Sequence, residues 1–388
     1  MTLKGARVID SRAYSRGMVI MFKRQWTLLF SAAIVFSSCT NDATLRQKAD
    51  ELAHKYIITD GHVDIPYRLE EYMEDVSVRT ERGDFDYVRA KEGGLDAPFM
   101  SIYVPSSYQE TGGAKAKADS LIDLVENLAN DHPDKFALAA SPEEVEKIVA
   151  DGKIALPMGM ENGAPIEDHL KNVAYFHGRG VRYITLTHGK DNQICDSSYD
   201  TTRTWGGLSP FGREVVKEMN RVGIMVDISH VTDEVINQVM DMTDVPVIAS
   251  HSSCRYFTPG WERNMGDDEI RRLKDNGGVI QINYGSSFIT QASLEKGEEN
   301  RERIMAYAKE NNLKRGDEVL TAFAKKINAK NPVYADISDV VDHFDRVVAL
   351  AGIDHVGIGS DYDGVGDSLP YGLKDVASYP NLIFHLLK

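Results

Sequence analysis

Eight short apolar runs recur along the chain, at 57–59, 99–104, 155–160, 183–187, 224–228, 245–250, 278–282 and 355–359. Each reads as a strand, and amphipathic helical stretches separate them. Residues 119–129 carry leucines, Ile122 and Val125 at helical spacing, while 168–177 opens on acidic residues and stops at Gly178 and Gly180. Ser209 is placed to cap a helix over 210–219 with Pro210 in its first turn, and 233–242 and 267–275 repeat the pattern. Parallel strands need such crossovers, so the order predicts an α/β fold, a (β/α)8 TIM-type barrel. One stretch exceeds a minimal barrel. Residues 286–335 are charge-rich and helical in pattern, with helices predicted over 301–309 and 319–327 before another at 340–351. They read as an insertion after strand seven, a solvated helical pair with no part in the chemistry. The last helix follows Pro380 and Asn381 and runs to Lys388, which suggests a C-terminus cut short.

No repeat and no low-complexity linker divides the chain, and 388 residues of which 42% are hydrophobic can bury a large core. With 44 basic against 59 acidic residues the net charge is -15, which argues against nucleic acid or an anionic membrane surface as the main partner.

The N-terminus is of another kind. Lys23 and Arg24 precede the apolar residues 26–36, and Ser37, Ser38 and Cys39 follow, the layout of a secretory signal too short to span a bilayer. A cysteine after small residues resembles a bacterial lipoprotein signal, in which Cys39 becomes the lipidated first residue and ties the protein to a membrane. Phe36 departs from the leucine usual there, and plain secretion is the alternative. The domain reading is an upstream extension over 1–20 with Met18 or Met21 the true start, a signal peptide over 21–38, a linker over 39–50 and the barrel over 51–388. Export would place the protein in the cell envelope, on the periplasmic or outer-membrane face. Loss of 1–38 removes six basic residues and one acidic residue and leaves -20. Cys195 and Cys254 remain, too few for a disulfide framework.

Metal-competent side chains gather at the C-terminal ends of the predicted strands. Strand one ends in Asp60-Gly61-His62-Val63-Asp64, where alternation puts His62 and Asp64 on one side, an imidazole and a carboxylate aimed at one point. Strand three ends in Glu161, four in His188, five in His230, six in His251, and eight in Asp361 and Asp363. Packing alone does not put four of eleven histidines on one rim. Two divalent ions about 3.5 to 4 Å apart need a bridging carboxylate and two sets of terminal ligands. His62 and Asp64 would hold one zinc, His230 and His251 the other, and Glu161 would bridge them, with a shared water acidified toward neutrality. Gly159 and Gly163, flanking Glu161, imply close approach of backbone to something bound.

The motifs Asp60-Gly61-His62-Val63-Asp64, Leu186-Thr187-His188, Asp227-Ile228-Ser229-His230, Ser250-His251-Ser252-Ser253, Arg263-Asn264 and Gly359-Ser360-Asp361-Tyr362-Asp363-Gly364 resemble those of the membrane dipeptidase (renal dipeptidase) family of zinc metallopeptidases, in order and over residues 50–388. The resemblance implies a metal-dependent, amidohydrolase-type barrel that hydrolyses the peptide bond of dipeptides through a hydroxide bridging two Zn2+ ions. It implies that His188 polarises the scissile carbonyl and stabilises the oxyanion, and that Arg263 contacts the substrate carboxylate through paired hydrogen bonds. It gives Asp361 the transfer of a proton from the attacking water to the leaving amine, and leaves Asp363 a structural part. It also allows a homodimer. The chain departs from the family in its cysteine positions, its long insertion and the missing C-terminal helices. Two other readings are a related binuclear amidohydrolase acting on a lactone, lactam or phosphoester, and an envelope binding lipoprotein built on an inactive barrel.

Overall fold

The apolar runs become the strands of a closed barrel in a computed structural model that describes residues 42–314 and 317–388. The strands are β1 (Ile58–Val63), β2 (Leu95–Tyr103), β3 (Met158–Glu161), β4 (Val181–Thr185), β5 (Met225–Asp227), β6 (Ile248–Ser252), β7 (Val279–Ile282) and β8 (Val356–Ile358). Neighbours in sequence pair in parallel, and β8 closes on β1 through Ile358 and Asp60. The signal segment and Cys39 lie outside the described residues. Residues 45–53 are helical, and Ala49 and Ala53, one turn apart, are fully buried. No helix among the described residues is long and apolar enough to cross a membrane.

The third predicted run proves to be two strands. Ile154–Leu156 pairs outside the barrel with Phe136–Leu138, and only Met158–Glu161 joins the barrel. Pro157 between them has no N–H to give, while its carbonyl accepts from Met100 N–H at 2.8 Å, so the ladder changes partner there.

Crossover helices follow their local signals. Ser209 Oγ accepts from Gly212 N–H at 2.8 Å at the start of helix Pro210–Val222, which ends on Gly223 at φ 89°. Thr232 caps helix Asp233–Met242 in the same way, through Val235 N–H. The insertion after β7 consists of helices Ser286–Ile289, Gln291–Glu310 and Glu318–Lys330, followed by helix Ile337–Leu350. Its two long helices are joined by the buried Asn300, whose amide donates to Asn328 Oδ1 and Asn331 O, and by Tyr307 stacked on Phe323 with centroids 3.8 Å apart.

Asp60 ties the closing seam together. It is fully buried and accepts from His62 N–H, from Ser360 N–H and from the hydroxyl of Tyr379 on the final helix Tyr379–Leu387. One carboxylate therefore joins β1, the end of β8 and the last helix, and fixes the backbone on which His62 stands. Asp227 repeats the device across β5 and β6, accepting from Ser229 N–H and Ser250 N–H.

Candidate metal centre

Of the eight residues read from the strand ends, all but Asp363 converge above the C-terminal mouth of the barrel. Glu161 stands at their centre, and its two oxygens face different ligand sets. Oε1 lies 3.0 Å from His230 Nε2 and 3.3 Å from His251 Nε2, while Oε2 lies 3.5 Å from His62 Nε2. Asp64 Oδ2 is 3.7 Å from the same His62 nitrogen. His251 also stands against His62, ring centroids 3.8 Å apart, so the two sets are adjacent.

Neighbouring groups prepare these imidazoles to bind a cation. The Tyr183 hydroxyl donates to Gly61 O at 3.0 Å, so the His62 Nδ1 2.8 Å away must be the donor of that second contact. His62 Nε2 then presents its lone pair to Asp64 and Glu161, and neither it nor Asp64 Oδ1 has a hydrogen-bond partner among the described residues. Ser250 does the same for His251. Its hydroxyl donates to Asp227 Oδ2 at 2.6 Å and receives His251 Nδ1–H at 2.7 Å, which turns Nε2 toward Glu161.

The electrostatics agree with the geometry. Burial opposes a charge on His62, but Tyr183, Glu161 and Asp64 outweigh it and raise its pKa well above the usual imidazole value, so this point calls for positive charge. Burial, helped by Arg263 and neighbouring histidines, holds His230 and His251 well below that value, in the neutral form that ligates metals. Burial also pushes Glu161 up, yet the attraction of His62 and His188 prevails and holds it well below the usual carboxylate range. Three groups offer ligand atoms within 4.8 Å of one another: His62, Glu161 and His251; Glu161, His188 and His230; His62, Asp64 and Asp361. Gly364 leaves room between the last two acids, since a Cβ there would sit 2.1 Å from Asp64 Oδ2 and 2.2 Å from Asp361 Oδ1. Orphaned buried donor atoms around such a gap fit divalent cations.

The remaining predicted residues ring this core. His188 is partly exposed on the cavity wall, its Nε2 3.6 Å from Glu161 Oε1. Burial and the charge on Asp64 push the Asp361 carboxyl well above the usual range, and Asn283 Nδ2 donates to its Oδ2 at 2.7 Å. Asp361 at φ 60° and His230 at φ 69° are both held in the left-handed region, a conformation costing a non-glycine residue about 1–3 kcal/mol. Asp363 faces away, accepting from Asp84 N–H and from Arg68. Arg263 is 3% exposed and donates to Ser252 Oγ and His251 O, both at 2.8 Å. Its Nε has no partner, and it forms no ion pair among the described residues, beside Tyr199 and 5.0 Å from the Phe288 ring.

Two sequence readings need correction. Gly159 and Gly163 make room for neighbouring protein, not for a ligand: a Cβ on Gly159 would meet the Tyr183 ring at 1.9 Å, and one on Gly163 would meet Ile194 at 2.5 Å and Leu186 O at 2.8 Å. The insertion is not a bystander, because Phe288, Asn300, Arg301 and Ile304 line the cavity of about 830 Å3 that opens onto Glu161, His188 and His230. Among residues not read from the sequence, Asn283 had a visible signal as the polar residue ending the seventh apolar run. Asp227 and Ser250 stand inside motifs read from the sequence without a part assigned to them, and Tyr183 had no such signal.

The profile of the membrane dipeptidase family, peptidase family M19, matches residues 46–388. The chain belongs to this family. It is thus a metallo-dipeptidase, with a site of histidines and carboxylates able to hold the metal. An uncharacterized dipeptidase of Schizosaccharomyces pombe is 31% identical over 88% of this chain and 78% of its own length. Dipeptidase 3 of Mus musculus is likewise 31% identical, over 89% of this chain, which spans only 63% of that relative. Among solved structures, the probable dipeptidase PvdM from Pseudomonas aeruginosa superposes with a TM-score of 0.76 at 26% identity, covering 89% of this chain and 92% of that one. A metallopeptidase from Rhodobacter sphaeroides shares the fold at a TM-score of 0.67 and 23% identity, over 84% and 91% of the two chains.

Proposed function

We propose that this metallo-dipeptidase cleaves the peptide bond of dipeptides with two zinc ions, His62 and Asp64 serving one, His230 and His251 the other, and Glu161 both. The observation that carries the reading is the division of Glu161, one oxygen toward His62 and the other toward His230 and His251. Zinc bound there would supply Lewis acidity and a water acidified to near neutrality, a hydroxide shared by both ions, as the nucleophile.

The chain's own groups do the rest. Arg263 is a buried guanidinium without a carboxylate partner and with a free Nε–H, a charge that the substrate's C-terminal carboxylate would complete. That anchor, one residue beyond the scissile bond, limits the site to short substrates. His188, on the cavity wall beside Glu161, donates an N–H to the carbonyl oxygen as it becomes an oxyanion. Asp361, its carboxyl raised by burial and Asp64 and steadied by Asn283, takes the proton of the attacking water and hands it to the departing amine.

The test is a panel of dipeptides beside lactones, lactams and phosphoesters, run on metal-stripped protein reloaded with zinc. Dipeptide hydrolysis restored by zinc, together with inhibition by a phosphinate dipeptide mimic, supports the reading; turnover confined to the esters or lactams, or none at all with zinc bound, refutes it. We also propose export as a Cys39-linked lipoprotein, which Cys39→Ala tests: the variant should leave the membrane fraction.

A further inference from the structure

The cavity of about 830 Å3 reaches from the metal centre, at Asp64, Glu161, His230 and Asp361, to the insertion. Tyr103 at the end of β2, and Tyr67 and Val365 from the segments after β1 and β8, line it together with residues of the insertion. Arg263 follows β6 and sits beside Tyr199 and Phe288, which line the same cavity. A dipeptide with its carboxylate on Arg263 and its carbonyl beside His188 leaves the rest of this cavity to its amino-terminal residue. Into that space helix Gln291–Glu310 brings Arg301, an exposed guanidinium with no hydrogen bond or ion pair among the described residues. Its neighbour Asn300 is locked to Asn328 and Asn331, which holds this part of the helix in place. Other charges of the cavity have partners within the protein: Arg68 and Asp363 bond each other, and Tyr334 donates to Asp367. Glu71, exposed on the same lining, is an acid that could compete.

We propose that Arg301 is a specificity-determining residue that selects dipeptides whose amino-terminal side chain carries a carboxylate. The inference rests on the dipeptidase reading and on Arg263 as the carboxylate anchor. A guanidinium at a partly open site favours a paired carboxylate over its neutral isostere by about three- to tenfold.

The experiment compares kcat/KM for Glu-Ala, Gln-Ala and Lys-Ala with the zinc-loaded enzyme and its Arg301→Gln and Arg301→Glu variants, both changes lying on an exposed helix face. The expected order is Glu-Ala over Gln-Ala over Lys-Ala, with the first ratio falling to about one in Arg301→Gln and the order reversing in Arg301→Glu. A wild-type ratio at or below one, or a ratio that neither variant moves, overturns the role of Arg301 while leaving dipeptide hydrolysis intact. Failure to cleave any of the three with zinc bound overturns the dipeptidase reading itself, and this inference with it.

Discussion

Replacing Tyr183 with Phe removes a single oxygen atom from beneath the metal centre. That hydroxyl donates to Gly61 O and accepts the Nδ1–H of His62, so its loss leaves a buried carbonyl and a buried imidazole N–H without partners. His62 and Tyr183 are fully buried, so bulk solvent does not reach the groups left behind. Unsatisfied buried groups of this kind cost about 1–3 kcal/mol, and a domain of this size loses roughly 1–2 °C of Tm per kcal/mol. The larger effect falls on the metal. The Tyr183 contact selects the His62 tautomer whose Nε2 lone pair faces Asp64 and Glu161, and losing such a support weakens metal binding about 10–100-fold. Zinc titration of the stripped protein by calorimetry measures this directly, with thermal unfolding of the metal-free form run beside it. A Tyr183→Phe protein that is less stable but binds zinc within twofold of wild type would show that the hydroxyl only packs, and would refute the tautomer argument.

Three further outcomes follow from the same site. Asp361→Asn should keep both metals and lower kcat by about 10²–10⁴, the usual range for a lost general acid–base, as read from single-turnover rates and metal content. Arg263→Lys should raise KM for dipeptides about tenfold or more with a smaller change in kcat, since one ammonium cannot reproduce a paired contact; the reverse split would remove Arg263 from the carboxylate. His343 is held by Cys254 N–H donating to its Nδ1 and by its own Nε2–H on Ile289 O, and burial lowers its pKa to about 4. Because the unfolded state binds the proton first, stability should be whole above pH about 6.5 and fall by roughly 3 kcal/mol as pH drops toward 4. Denaturant unfolding across that window should be flatter in His343→Gln.

Much of this site was legible in the residue order because a parallel barrel places every strand end on one rim. His62, Asp64, Glu161, His188, His230, His251 and Asp361 could be read from apolar runs that stop on a histidine or an acid. What orients them could not. Tyr183 supports His62 from β4 across the barrel, opposite Gly159 in register on β3, and that pairing depends on strand alignment, which no local pattern encodes. Ser250 and Asp227 act on His251 through one hydroxyl, again across two strands. The third run misled because Ile154–Leu156 and Met158–Glu161 are equally apolar, and only Pro157 marks the change of sheet. The insertion misled for a different reason: its charged composition is that of a solvated helix pair, while a few residues on one face, Asn300, Arg301 and Ile304, line the cavity.

The central claim is that Glu161 is shared by two metal ions. Anomalous diffraction at the zinc edge from crystals of the zinc-loaded protein tests it most directly. The account predicts two peaks per chain, one between Glu161, His62 and Asp64 and the other between Glu161, His230 and His251, with at least one lost in Glu161→Gln. A single peak in the wild-type protein, or two that persist unchanged without the carboxylate, would contradict it.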